Sequence, residues 1–216
     1  MLLLGYSGSG GISHNNIEDF AAMRVIPNVV IVNPSDVVEA EKALTAIAEY
    51  VGPVYYRLEM VSTNPWRIFE DNYEFNIGKA IKVREGDDAT IIATGYMVTE
   101  SLMAADLLKK EKIHVQVINM STIKPIDEEA IVTAAKETGA LITAEYHSII
   151  GGLGEAVAMV LAENLPTPMS RIGIRDEFSQ SGIVTPDGKD ELKIYLNLAA
   201  EDIATAVKET IKKKKR

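Results

Sequence analysis

The sequence has 216 residues, no cysteine and a formal net charge of −9 at pH 7. The lack of cysteine excludes disulfide bonds, thiolate catalysis and cysteine-ligated zinc, and the acidic balance argues against duplex nucleic acid as a partner. No apolar run approaches the ~20 residues that a membrane-spanning helix needs, and the first residues lack the basic segment of a signal peptide. We therefore expect a cytoplasmic protein that contacts no membrane.

Helix and strand patterns alternate in the first part of the chain. Apolar residues between Ile17 and Val25 recur at helical spacing, and the β-branched run at 29–32 predicts a buried strand. Ser35 is placed to cap a second helix, and the run at 54–58 predicts a second strand. The predicted buried face of the second helix comprises Val37, Ala40, Leu44, Ile47 and Val51.

A second alternating series follows a stretch without sustained periodicity at 61–75. The predicted strands of this series are 77–83, 89–94, 113–118, 140–144 and 170–174, and the predicted helices are 97–109, 127–137, 152–163, 189–197 and 200–212. Such alternation is typical of an α/β fold with a mainly parallel sheet and helices on both faces.

The first series predicts a partial domain and the second a complete one. Residues 1–60 contain only two predicted strands, and a two-stranded parallel sheet leaves edges and faces bare. We therefore predict a partial α/β domain at 1–60, a linker at 61–75 and a complete domain at 76–216. The second domain is expected to fold alone, with little stability contributed by the first, and the bare edges are expected to bind a partner or a second copy.

Four segments resemble the transketolase family, and they occur in the family's order. "GGISHNNIEDFAAMRVIPNVVIVNPSD" and "GPVYYRLE" resemble the end of its pyrimidine-binding domain. The segment from Ala89 to Asp127, ending in the family-specific phrase "TIKPID", resembles the start of its C-terminal domain, and "AEYHSIIGGLGEAVA" resembles a later part of that domain. The resemblance covers nearly the whole chain.

The resemblance implies a function that this chain shares with other polypeptides. The family moves two-carbon ketol units between sugar phosphates, using thiamine diphosphate and Mg²⁺ bound between two chains. The family's cofactor glutamate, its stacking aromatic residue and its magnesium motif have no counterpart in this sequence. We therefore expect the chain alone to hold neither cofactor nor Mg²⁺, and to work with an N-terminal transketolase subunit in a homodimer or heterotetramer.

The resemblance also implies two substrate-binding residues. His14 is the candidate catalytic residue, because it corresponds to an active-site histidine that hydrogen-bonds the ketol oxygens, a task suited to imidazole. Arg57 lies near the family's phosphate-binding arginine. The alternative for His14 is a helix-start residue without a ligand, and the alternative for Arg57 is a structural role. The family's phosphate arginine aligns with Met60, and the loop "SGSGG" before His14 lacks the family's carboxylate, so the substrate stays open.

A third set of residues is implied to lie at a contact between chains. In the family, the segment containing His147, Gly151, Gly152 and Gly154 meets the second subunit of the dimer. The alternatives are a tight turn that opens a helix and a structural histidine. His114 is interpreted as a strand-edge residue, and Asp127 as a helix cap.

Two other functions are weighed against transketolase. The chain could be a non-catalytic interaction or regulatory module, or a section of a deoxyxylulose-phosphate synthase or of a 2-oxoacid dehydrogenase β subunit. The phrase "TIKPID" and the spacing in "YHSIIGG" favour transketolase.

Overall fold

The computed structural model describes residues 14–59, 67–178, 180 and 191–214, and the backbone of residues 2–4. Within these residues the chain forms two sheets with helices packed on them. The predicted α/β class, with a mainly parallel sheet and helices on both faces, is confirmed.

The first sheet has four strands, β1 (Leu2–Leu4), β2 (Val30–Val32), β3 (Val54–Leu58) and β7 (Thr122–Lys124). The helices α1 (Asp19–Arg24) and α2 (Val37–Glu49) connect the first three strands in the sequence. The strand order is β1-β3-β2-β7, in which β1 and β2 are parallel to β3 and β7 is antiparallel to β2.

The second sheet has five strands in the order β4-β6-β5-β8-β9, all parallel except β4. Its strands are β4 (Ile81–Arg84), β5 (Ala89–Ala93), β6 (Val115–Asn119), β8 (Leu141–Ser148) and β9 (Met169–Ile174). The remaining helices are α3 (Met97–Lys110), α4 (Glu128–Thr138), α5 (Leu153–Asn164), α6 (Glu191–Tyr195) and α7 (Ala200–Ile211). α3 and α7 cover one face and α4 and α5 the other, because alternate strand residues point to opposite sides.

The structure adds two strands and shifts one that the sequence predicts. β1 and β7 are three-residue strands, too short for alternation to be detected. The predicted strand at 77–83 forms only at β4, and Asp127 caps α4 as predicted, accepting a hydrogen bond from the Ala130 N–H.

The orientation of α2 differs from the prediction. The predicted buried stripe lies largely in solvent, with Val37, Leu44 and Val51 exposed to 76%, 55% and 97%. The opposite face, which carries Glu39 and Ala43, is buried instead. Glu39 tolerates burial because its carboxylate accepts hydrogen bonds from Ser35 (N–H and Oγ), Tyr73 Oη and Asn119 Nδ2. The helix cap is Asp36 rather than Ser35, with Oδ1 accepting from the Glu39 N–H.

The two predicted sections share one apolar cluster. Four residues of the first section, Phe20, Val29, Ile31 and Tyr55, pack in the same cluster as residues of β5, β6, β7, α4, β8 and α5. The described part of the predicted linker is bound to the N-terminus of α2, since the Ile68 and Phe69 N–H groups donate to Asp36 Oδ2. The boundaries 1–60, 61–75 and 76–216 stay a prediction, but side chains of the first section contribute to the core of the second.

The helices in the described ranges offer no candidate for a membrane span, since none combines the length and apolar character required.

Candidate functional site

Arg57, on β3, is the centre of the buried polar network at the junction of the two sheets. Its side chain is fully buried and donates through all three nitrogens. Nε binds Asp19 Oδ2 at 2.8 Å and Nη1 binds Glu59 Oε1 at 2.6 Å. Nη2 binds the carbonyl oxygens of Asn16 at 2.8 Å and Tyr146 at 2.9 Å. Because these contacts engage all three nitrogens of a fully buried side chain, the geometry favours the structural interpretation of Arg57 over a phosphate clamp, and its predicted role in binding substrate stays a prediction.

The acidic partners of Arg57 are held in place by further donors. Asp19 Oδ2 also accepts from Tyr55 Oη at 2.7 Å, and Glu59 Oε2 accepts from the Tyr96 N–H at 2.6 Å. Burial would lower the pKa of Arg57, but the two carboxylates outweigh it and raise that pKa. Burial raises the pKa of Glu59 despite the opposing charge of Arg57. The network is therefore a buried charge cluster whose members depend on one another.

His14 lies on an exposed turn just before α1. The backbone that follows it is bound to both sheets, because the Asn16 carbonyl accepts from Arg57 of β3 and the Ile17 carbonyl accepts from the Ser148 N–H of β8 at 2.7 Å. The predicted role of His14 in binding ketol oxygens stays a prediction. Met60 and the loop "SGSGG" lie outside the described residues.

His147, on β8, is fully buried against α1. Its ring stacks on Phe20 with a centroid separation of 4.9 Å. Nδ1 lies 2.6 Å from the Ser148 carbonyl oxygen, and Nε2 lies 3.4 Å from the Ala21 N–H, which assigns the ring proton to Nδ1. Burial, with the nearby Arg57 charge, lowers the pKa of His147 to about 4. His147 is therefore neutral at pH 7.

Glu145 binds the beginning of α5 from the adjacent strand. Its carboxylate accepts from the N–H groups of Leu153 at 2.6 Å and Gly154 at 2.7 Å, as expected for an acidic group at a helix N-terminus. Burial raises the pKa of Glu145 to about 7, and these two N–H groups oppose the rise. Glu145 therefore titrates near neutral pH.

These two groups predict opposite pH dependences of stability. The folded chain binds a proton at His147 more weakly than the unfolded chain, so His147 makes the chain less stable as pH falls from about 6.5 towards 4. The folded chain binds a proton at Glu145 more tightly, so Glu145 makes it less stable as pH rises from about 4.5 towards 7. Replacing Glu145→Gln should remove only the second contribution.

The pH prediction is measured by urea unfolding of the parent chain and Glu145→Gln at several pH values from 4.5 to 7. The free energy of unfolding of the parent, minus that of the variant, should fall by a few kcal/mol over this range. Glu163→Gln, at an exposed position on α5, controls for the loss of one charge. A difference for Glu145→Gln that does not change with pH would contradict the prediction.

Gly151, Gly152 and Gly154, which are predicted to lie at a contact between two chains, contact other elements of the same chain. Gly151 has a φ of +77°, and a Cβ there would clash with Ala21 of α1. A Cβ at Gly152 would clash with Glu145, and one at Gly154 would crowd Arg171. Arg24 Nη1 also donates to the carbonyl oxygens of Gly151 at 2.6 Å and Gly152 at 3.0 Å. Gly151 thus lets α1 approach this turn closely, whereas Gly152 and Gly154 leave room for Glu145 of β8 and Arg171 of β9. The role of the three glycines at a contact with a second chain stays a prediction.

The structure thus brings together most of the residues that the sequence singles out. Arg57, His147 and the glycine segment all contact α1 or the turn before it, whereas His114 is exposed directly before β6, where its N–H donates to Asp88. Sequence reasoning misses Asp19, Glu59 and Glu145, although each lies within a segment that resembles the family. Periodicity gives no signal for them, because charged residues are rarely buried unless they are paired.

No group of three or more histidine, aspartate or glutamate side chains within the described ranges could hold a metal ion. The buried carboxylates of the site are bound by Arg57, by Tyr55 and by backbone N–H groups. The described residues of this site thus supply no group of three ligands for Mg²⁺, and the expectation that the chain alone holds neither Mg²⁺ nor thiamine diphosphate stays a prediction.

Comparison with known proteins gives two family matches along the chain. The family model described as "Transketolase, pyrimidine binding domain" matches residues 1–62, and the one described as "Transketolase, C-terminal domain" matches residues 78–186.

Individual relatives match over nearly the whole chain. The 6-deoxy-6-sulfo-D-fructose transketolase subunit SqwH of Clostridium sp. (strain MSTE9) is 43% identical over 94% of this chain and 61% of its own length. A putative transketolase C-terminal section of Methanocaldococcus jannaschii is 44% identical over 95% of this chain and 63% of its own. A solved structure described as "Split gene transketolase, inactive beta4 tetramer" has a TM-score of 0.90 and 39% identity, and the match covers 99% of this chain and 67% of that one. The chain therefore spans about three fifths of the length of these curated relatives.

Proposed function

The chain belongs to the transketolase family, and on that premise we propose that it is the C-terminal subunit or section of a thiamine-diphosphate-dependent transketolase. It transfers two-carbon ketol units between sugar phosphates together with an N-terminal partner. The observation that carries this proposal is the similarity, over 94% and 95% of the chain, to relatives named as a transketolase subunit and a transketolase C-terminal section.

The assembly that we propose is a homodimer or a heterotetramer with the N-terminal transketolase subunit, in the cytoplasm. The relatives' names support a divided enzyme, and one solved relative is described as an inactive tetramer of β chains. By analogy, this chain is inactive alone. Thiamine diphosphate and Mg²⁺ are held by the complete assembly, where the cofactor supplies the means to cleave and form the carbon–carbon bond.

The part that we assign to this chain is recognition of the ketose. An imidazole can donate to or accept from the ketol oxygens near neutral pH, and His14 is exposed on its turn. The anionic group of the ketose is left open, because Met60 stands at the family's phosphate-arginine position. The Clostridium relative is named for a sulfonated sugar, so the substrates to be tested include ketoses that carry phosphate and ketoses that carry sulfonate.

The experiment combines the purified chain with a separately purified N-terminal transketolase subunit, thiamine diphosphate and Mg²⁺. With an acceptor aldose present to take the two-carbon unit, release of the shortened aldose from a panel of ketose donors should appear only with both polypeptides. Titration calorimetry of the chain alone with cofactor and Mg²⁺ should give no micromolar dissociation constant. His14→Ala should lower kcat/KM of the mixture by about a hundredfold, whereas His114→Ala, at an exposed position directly before β6, should leave it unchanged. A mixture inactive on the whole panel would overturn the proposal and favour a non-catalytic module.

A further inference from the structure

One guanidinium nitrogen of Arg57 joins the turn that carries His14 to the second sheet. Nη2 donates both to the carbonyl of Asn16, two residues after His14, and to the carbonyl of Tyr146 on β8. The distances are 2.8 and 2.9 Å. A single planar group therefore fixes the separation between the turn and the strand.

The rest of the guanidinium is fixed as firmly. Asp19 and Glu59 bind Nε and Nη1, and the group lies 4.6 Å from the centroid of the Phe20 ring. Since Asp19 and Phe20 belong to α1 and Glu59 follows β3, contacts from two elements orient the fork. Lysine could not reproduce this arrangement, because its ammonium carries one point charge on a flexible stem.

A second tie holds the next residue of the same turn. The Ile17 carbonyl accepts from the Ser148 N–H at 2.7 Å, and the Ile17 side chain packs in the apolar cluster of α3 and α7. The Asn16 carbonyl is thus linked to Tyr146 of β8 through Arg57, and the Ile17 carbonyl is bound directly to Ser148 of the same strand. His14 itself is exposed, so an accessible imidazole stands on a turn whose following backbone is held.

We propose that Arg57 is a positioning residue of the transketolase reaction. Its guanidinium holds the His14 turn against β8 and so presents the imidazole to the ketose in one orientation. Arg57 acts through the Asn16 carbonyl and does not touch the substrate. This inference rests on the proposed function for its catalytic consequence, but the restraint on the turn is a property of this chain alone.

The variants must separate positioning from folding. Arg57→Met alone leaves Asp19 and Glu59 as unpaired buried charges. The triple variant Arg57→Met/Asp19→Asn/Glu59→Gln removes those charges with little change in volume, so it keeps the proposal testable if the single variant does not fold. Arg57→Lys keeps the charge and loses the fork. Arg84→Met, which breaks a part-exposed pair with Asp106, is the matched control.

The first measurement uses the full chain without any partner. NMR records the ring resonances of His14 and the hydrogen exchange of the Ser148 amide, which reports opening of its bond to Ile17. In the triple variant and in Arg57→Lys, the Ser148 amide should exchange about tenfold faster or more, and the His14 resonances should shift. In Arg84→Met neither should change. Unchanged exchange and resonances in a folded triple variant would overturn the proposal.

The second measurement uses the mixture with the N-terminal subunit. A purely structural defect lowers kcat in proportion to the assembled fraction and leaves KM for the ketose unchanged. Loss of positioning should instead raise KM about tenfold or more in Arg57→Lys. An unchanged KM would overturn the catalytic role of Arg57. If the parent mixture is inactive, the proposed function fails, while the NMR measurement still decides whether Arg57 restrains the turn.

Discussion

A chain shortened to residues 72–216 should fail to fold, or should melt more than ~10 °C below the full chain. The sequence alone predicts the opposite, namely that this part folds independently with little help from the first section. The revised expectation follows from the shared apolar cluster, to which the first section contributes Phe20, Val29, Ile31 and Tyr55.

The cost of the truncation has both apolar and polar parts. Each large side chain removed takes about 1.5–3 kcal/mol of burial energy with it, and several such losses approach the 5–15 kcal/mol that stabilises a typical domain. β7 also loses its only partner strand, β2, in the first sheet as described. Asn119 loses the carboxylate of Glu39, to which its side-chain amide donates. At ~2–4 °C per kcal/mol for a chain of this size, even a partial loss exceeds the stated shift.

Thermal melting of the shortened and full chains tests this expectation. Two single variants of the first section provide the matched comparison. Phe20→Ala, in the shared cluster, should lower the free energy of unfolding by about 3–5 kcal/mol, whereas Val25→Ala, at an exposed position just after the same helix, should change it by under ~0.5 kcal/mol. A shortened chain that melts within a few degrees of the full one would show that the two sections are energetically independent.

Arg57→Met should lower the free energy of unfolding by about 3–5 kcal/mol. Removing one partner of a buried ion pair leaves the opposing charge without compensation, and here two carboxylates, Asp19 and Glu59, lose the same cation. The carbonyls of Asn16 and Tyr146 lose a donor as well. The effect should therefore be larger than that of any exposed pair in the described structure.

Chemical denaturation at pH 7 measures this loss. The triple variant Arg57→Met/Asp19→Asn/Glu59→Gln should recover part of it, because replacing all the charges of a buried cluster is far less costly than removing one. Arg84→Met, which breaks the part-exposed pair with Asp106, should cost less than ~1 kcal/mol. A loss below ~1 kcal/mol for Arg57→Met would mean that the buried carboxylates take up protons or find other donors.

Much of the fold could be predicted because hydrophobic periodicity reports burial directly. β3 has the predicted bounds, and β2, β5, α3 and α4 each lie within one residue of theirs. β7 could not be predicted, since a three-residue strand has no period and its partner β2 lies far away in the sequence. The predicted buried face of α2 is wrong for another reason. The prediction assigns the apolar stripe to the core, whereas the buried side of α2 carries Glu39. Three side chains and a backbone N–H donate to the Glu39 carboxylate.

The candidate site could be predicted only in part. The resemblance singles out His14, Arg57 and His147, but it leaves a binding and a structural role open for Arg57. Burial bears on this choice, because a charged residue is rarely buried without partners, and the partners of Arg57 come from several elements of the fold. Asp19 and Glu59 come from the first section, as Arg57 does, whereas the Tyr146 carbonyl becomes a partner of Arg57 only when the two sheets have met.

The antiparallel pairing of β7 with β2 has a consequence for how the protein is made. During translation, β2 and β3 leave the ribosome well before residues 122–124. The edge of β2 that pairs with β7 therefore stays unpaired until β7 has been synthesised. Long-range pairing of this kind slows folding, and unpaired strand edges in partly folded chains promote aggregation. Nascent chains that stall between β3 and β7 should therefore be good substrates for chaperones, since the first sheet is completed only after β7 has been synthesised.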